Sequence, residues 1–177
     1  MTNKIYNNSG SSLAETLVTV LLLTIVLGAV TTGISTARRA YQQIVRKADA
    51  MTLLSTIAIS MEADFSTASS PVEKQITVTE NGAEVHRNVY SFNSGIRGYS
   101  IYFDNREDGI CAVAQVKGGD DIVIPVATDA AHTRTLRSKL VGDVQFEDDC
   151  FKYSISIESK DGTVLIEPIQ YVTRISE

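Results

Sequence analysis

Tryptophan is absent from this chain, histidine and cysteine occur twice each, and proline occurs three times in 177 residues. Each scarcity removes a class of function. Without Trp, and with aromatic residues at 7%, there is no rich platform on which bases or sugars would stack. A net charge of −5 and a pI near 5.1 oppose nucleic-acid binding, which normally needs a basic face. His86 and His132, taken with Cys111 and Cys150, fall at no metal-ligand spacing, so no metal site is expected and both histidines read as surface or turn residues. The acidic turn Asp104–Gly109 is similar to half of a calcium loop. Arg106 stands where an oxygen donor is needed, however, and no Glu follows at the twelfth position, so a solvated turn is expected. No nucleophile–base pair, phosphate loop or catalytic carboxylate pair stands out, and Glu147-Asp148-Asp149 reads as a polar loop. Neither enzyme activity, a cofactor nor a small-molecule substrate is expected.

The most informative scarcity is local. Residues 16–37, TLVTVLLLTIVLGAVTTGISTA, form a 22-residue stretch without a charged side chain between Glu15 and Arg38. A helix needs roughly 20 mostly apolar residues to cross about 30 Å of hydrocarbon. The threonines from Thr16 to Thr32 can return their hydroxyls to carbonyls of their own helix, so they do not oppose insertion. Gly28 and Gly33 weaken the helix but permit close helix approach, although their spacing is not that of GxxxG. A buried core helix is the alternative; the run is too long for most of those. An ordinary secretory signal is excluded by the length of the run and by the polar leader MTNKIYNNSG, whose only charged side chain is Lys4.

At the junction stand Gly10-Ser11-Ser12-Leu13-Ala14-Glu15. A glycine marks the membrane boundary, and an acid opens the apolar run five positions later. This segment resembles the N terminus of type IV prepilins and of the pseudopilins of type II secretion and competence systems. The resemblance covers residues 5–40 closely and the layout of the remainder in general terms. It implies that a prepilin peptidase cuts after Gly10 on the cytoplasmic side and methylates the new terminus at Ser11, where the family usually has Phe. Glu15 becomes the fifth mature residue, and in the family's logic it pairs with the N terminus of a neighbouring subunit and sets axial register. The physical basis is that an acid at the edge of a bilayer is costly and normally partnered, and the cut creates an amine at about its depth. Glu15 also suits a first helical turn through the helix dipole, and a plain first-turn acid at the interface is the alternative.

The charges after the span pull the other way. Arg38, Arg39, Arg46 and Lys47 follow it, and the positive-inside rule would hold that end in the cytoplasm, whereas the pilin arrangement places it outside. Beyond residue 37, Ala37, Ala40/Tyr41, Ile44/Val45, Ala48, Met51, Leu54, Ala58, Met61 and Phe65 recur at helical spacing. No Pro or Gly interrupts residues 34–70, and STASSP reads as a break. One helix of about 80 Å is expected over residues 12–66, or alternatively a span followed by a linker helix.

After Pro71 the pattern changes to alternating runs. QITVTE and VHRNVYSF flank Asn81-Gly82 as a hairpin, and YSIYFD, ICAVAQV, DIVIPVA, FKYSISIE and TVLIEPIQYV follow as strands. Lys117–Asp120 and Lys160–Gly162 read as further turns. The expected fold is α+β, with a long N-terminal helix, membrane-spanning in its first half, packed on an antiparallel sheet domain. The expected divisions are a leader at 1–10, a span at 11–37, an amphipathic helix half at 38–68 and an extracytoplasmic β-rich domain at 72–177. Cys111 and Cys150 lie 39 positions apart and allow one intrachain pairing. Many pilins carry a C-terminal disulfide, so the resemblance favours this bond, which would add several kcal/mol; two unlinked buried thiols are the alternative.

The resemblance thus implies a filament subunit held in the cytoplasmic membrane and then at the cell surface, with other pilin subunits and the peptidase as partners. Ser11 leans towards a minor pilin. A pseudopilin is one alternative, and an uncleaved membrane-anchored binding or adhesion domain is another.

Overall fold

Free of Pro and Gly over residues 34–70, the backbone of a computed structural model runs as one helix, α1, over Ser9–Ser66. The structure describes residues 9–80, 83–116, 121–128 and 134–176; the side chains of residues 9–12, 79, 80 and 83 lie outside that description. The chain divides into two compact units, one ending at Val45 and one beginning at Arg46. The described residues of the first, from Ser9 on, are all helix, and all the described side chains there are exposed.

The second unit combines the last turns of α1 with two antiparallel sheets, so the fold is α+β. The first sheet is a meander of β1 (Ala68–Glu80), β2 (Ala83–Ser94), β3 (Ser100–Arg106), β4 (Gly109–Ala114) and β5 (Ile122–Pro125). The second places β8 (Cys150–Ser159) between β9 (Val164–Arg174) on one side and β6 (Leu136–Leu140) with β7 (Gln145–Glu147) on the other.

Two boundaries differ from expectation. Of the break expected at STASSP, residues 66–71, Ser66 ends α1, Thr67 alone intervenes, and Ala68 already starts β1. Pro71 fits there because β1 is an edge strand and its register shifts between Ser69 and Val72, with Ser70 at φ 52°. Gly95 makes the tight junction possible: its amide donates to Thr67 O at 3.1 Å, and an added Cβ would lie 3.0 Å from Thr67 Cβ. The expected polar loop at Glu147–Asp149 is instead a two-residue turn joining β7 to β8, with Asp148 and Asp149 at φ 52° and 59°. Two successive positive φ values describe a primed hairpin turn, which matches strand twist even without the usual Asn-Gly. Pairing of Glu80 with Ala83 brackets the expected Asn81-Gly82 turn, whose residues, like Lys117–Asp120 and His132, lie outside the described ones. At Lys160–Gly162 the turn is formed as expected, closed by Ser159 N donating to Thr163 O at 2.8 Å.

The core forms where α1 meets both sheets. Ala50, Leu53, Leu54, Ile57, Ala58, Met61 and Phe65 are buried at steps of three and four, the stripe of an amphipathic helix. Met51, expected on that stripe, is 45% exposed, and Tyr41 and Ile44 are exposed as well; Ala50, Leu53 and Ile57 take the inner positions. Phe65 is the centre, with ring centroids 4.3–5.2 Å from Phe151, Tyr153, Phe103 and Phe92. A second, smaller core lies on the other face of the first sheet. Strand β2 pairs with β3 only at Phe92↔Ile101 and Asn93↔Ser100. Farther along, the β1–β2 hairpin turns across that face, so Ile76, Val78 and Val89 cover Tyr102 and Val113, and Lys74 Nζ donates to Gln115 Oε1.

Candidate functional site

The first 45 residues carry the feature that needs a function. From Leu13 to Ile34 every Leu, Ile and Val is more than half exposed, and none of the most apolar stretch is buried. Exposure of this extent opposes the core-helix alternative, because a core helix buries its apolar surface. The helix is long and apolar enough to cross a membrane. Its hydroxyls behave as a spanning helix requires. Thr16, Thr24 and Ser35 donate to carbonyls three residues back, and Thr19, Thr31, Thr32 and Thr36 to carbonyls four back, at 2.7–2.9 Å. No hydroxyl among these is left facing the surroundings without a partner, so the surface they present is effectively apolar.

Glu15 is exposed at the start of this surface, where it lines a shallow concavity with Thr16, Thr19 and Val20. Helical backbone begins at Ser9 and includes Gly10 and Ser11. The side chain of Ser11, and residues 1–8 before it, lie outside the described residues, so the processing junction is not placed further.

The expected disulfide is not formed: Cys111 and Cys150 are both free thiols. Cys111 sits in β4 opposite Asp104 and Pro125, while Cys150 opens β8 opposite Glu147 and Arg174, in the other sheet. Both alternate with core residues, Cys111 between Ile110 and Ala112 and Cys150 beside Phe151, so neither points into the space the sheets share. A bond needs Cα atoms within about 7 Å and converging Cβ vectors. Burial pushes the Cys111 thiol above its ordinary value, and its Sγ lies 3.7 Å from Gly109 O.

Two buried acids in the second unit have structural partners. Asp64, in the last turn of α1, receives Ser94 Oγ at 2.6 Å, Arg97 Nε at 3.0 Å and Arg97 Nη2 at 2.9 Å. This fork locks the end of the helix to the β2–β3 connection, and the Asp64 hydrogen bond raises the Arg97 pKa above its ordinary value. Asp104, expected in a solvated turn, is buried in β3 against Arg106 Nε at 3.1 Å and Arg87 Nη1 at 3.5 Å; only Glu107 and Asp108 occupy the turn itself. Beside it, between β3 and the β6–β7 connection, is a cavity of about 30 Å³, room for a single water. Among the described residues, no three or more His, Cys, Asp or Glu side chains converge as metal ligands would.

No protein-family model, curated protein or solved structure matches the chain.

Proposed function

We propose that the chain is a type IV pilin-like filament subunit, a minor pilin, assembled through its N-terminal helix after cleavage behind Gly10. One observation carries this: a wholly exposed apolar half-helix, opened by Glu15, is continuous in sequence with a half whose stripe is the core of a β domain. A membrane anchor alone would need the apolar window but not an acid at its opening edge. An unpaired charge at the bilayer centre costs about 3 kcal/mol and less towards the interface. Glu15 is therefore tolerable in the membrane, yet gains from an opposite charge. The amine created at Ser11 supplies one, and pairing between subunits turns the anchor into an assembly surface. The β domain then lies outside the cytoplasmic membrane.

Two experiments test this. Mass spectrometry of the mature protein from its native host is expected to find a chain starting at Ser11; an intact MTNKIYNNSG would instead identify an uncleaved anchored domain. Glu15→Ala is expected to remain membrane-inserted but drop out of filaments by tenfold or more, scored by immunoblotting sheared filaments against the membrane fraction. Normal incorporation would overturn the pairing.

A further inference from the structure

The apolar window of α1 ends on two adjacent cations. Residues 16–37 hold no charge, and Arg38 and Arg39 follow at once, both exposed. Among the described residues several other cations have acids: Arg97 pairs with Asp64, Arg106 with Asp104, Lys139 with Glu158 and Lys152 with Glu147. Arg46, in the second unit, lies close enough to Asp161 to help lower that carboxyl's pKa, behind the larger effect of the Thr163 backbone. Among the described residues, Arg38 and Arg39 have no such ion pair. The nearest acid after them along α1 is Asp49, about 15 Å farther on at 1.5 Å per residue. Glu15 is about 35 Å away at the other end.

Position supplies the missing partner. Twenty-two residues rise about 33 Å, against about 30 Å of hydrocarbon, so a helix that spans with Glu15 at one edge sets Arg38 and Arg39 among the opposite headgroups. Successive residues on a helix point about 100° apart, so the two guanidiniums reach headgroups on different sides of the helix. Tyr41, 69% exposed, adds an aromatic residue of the kind that settles at this depth. Guanidinium offers a planar fork that matches phosphate oxygens with two parallel hydrogen bonds.

We propose that Arg38 and Arg39 form a binding site for acidic phospholipid headgroups, occupied while the subunit waits in the membrane. The proposal rests on the membrane-spanning role of residues 16–37. It also accounts for the two positive charges nearest the trailing edge of the span: Arg38 and Arg39 are neutralised by bound lipid, which the subunit must surrender when it leaves the bilayer.

The test is lipid selectivity measured on the full chain. The protein is reconstituted into phosphatidylcholine vesicles containing a trace of chain-spin-labelled phosphatidylglycerol or phosphatidylcholine. Electron spin resonance then reads the motionally restricted fraction of each. Restricted phosphatidylglycerol is expected to exceed phosphatidylcholine by about fivefold or more, the scale of one basic residue at an anionic surface. R38Q/R39Q should bring the ratio close to one, R38K/R39K should keep most of it, and R46Q/K47Q should leave it unchanged. Millimolar inorganic phosphate should not displace the labelled lipid; displacement would mean a soluble-anion site and would overturn the proposal. Equal restriction of both lipids by the wild type, or an undiminished preference in R38Q/R39Q, would also overturn it while leaving the span intact. Absence of any restricted lipid would instead remove the span itself.

Discussion

Asp64 illustrates how one residue can be structurally decisive while its pattern hides it. It is 2% exposed, a costly placement for a carboxyl group unless both oxygens are used, and Ser94 and Arg97 use them. Asp64→Ala leaves Arg97 without its carboxylate and is expected to cost about 3–5 kcal/mol, read as a shifted urea midpoint of the full chain in detergent. Phe65→Ala should cost about as much, because its ring contacts four others. An unchanged midpoint in either variant would contradict the packing described. The pH response also belongs at this scale. Burial raises the pKa values of Tyr153, Tyr102 and Cys111 above their ordinary range. For groups raised in the folded state, the stabilisation is complete below the unfolded pKa and is lost as pH climbs towards the folded one. These residues should therefore leave stability flat through neutral pH and lower it above about pH 9, with tyrosinate absorbance rising together with loss of circular dichroism. The Phe65 end of the stripe was legible from its spacing. The Asp64 fork was not, because Arg97 lies 33 positions away and only tertiary structure joins them.

At the scale of elements, legibility followed strength of alternation. FKYSISIE and ICAVAQV alternate β-formers over enough residues to declare themselves, and they contribute β8 and β4. LRSKL alternates correctly, with Leu136, Ser138 and Leu140 inward, but it spans five residues and puts a serine in the core. That serine is there for a reason: Ser138 Oγ accepts the Ile110 amide at 3.0 Å, stitching β6 to β4 across the two sheets. The same stitch constrains Gly109, at φ 116°, whose added Cβ would meet Ser138 Oγ at 2.6 Å. Gly109→Ala is expected to destabilise by about 2 kcal/mol or more through strain and loss of that bond; a thermal midpoint within a degree of wild type would contradict it. Asp149→Gly should act in the opposite direction and stabilise by up to about 1 kcal/mol, since it relieves a positive φ in the β7–β8 turn. STASSP was read as a break because Ser and Pro favour turns, yet an edge strand with a bulge tolerates both.

For the whole molecule, composition was the clearest text. A charge-free run of 22 residues beside an ordinary polar remainder yielded both the helix and the α+β division. The cysteine pair was misjudged because sequence separation does not report which face of which sheet a strand turns outward. The resemblance at Gly10–Glu15 leads to a function, but its force depends on chemistry at a bilayer edge, and so the Glu15 and N-terminal experiments address it more directly than any property of the folded domain.

The fork at Asp64 has a mechanical meaning. In the proposed filament role the subunit would be pulled along its helix, and in the second unit α1 ends within three residues of Asp64, Phe65 and the single-residue link at Thr67. Two parallel charge-assisted bonds from Arg97 at that point resist sliding together, whereas β1, joined directly to the helix, would otherwise open one ladder bond at a time. In that role Asp64 and Arg97 would act as a shear pin between the end of α1 and the β2–β3 connection.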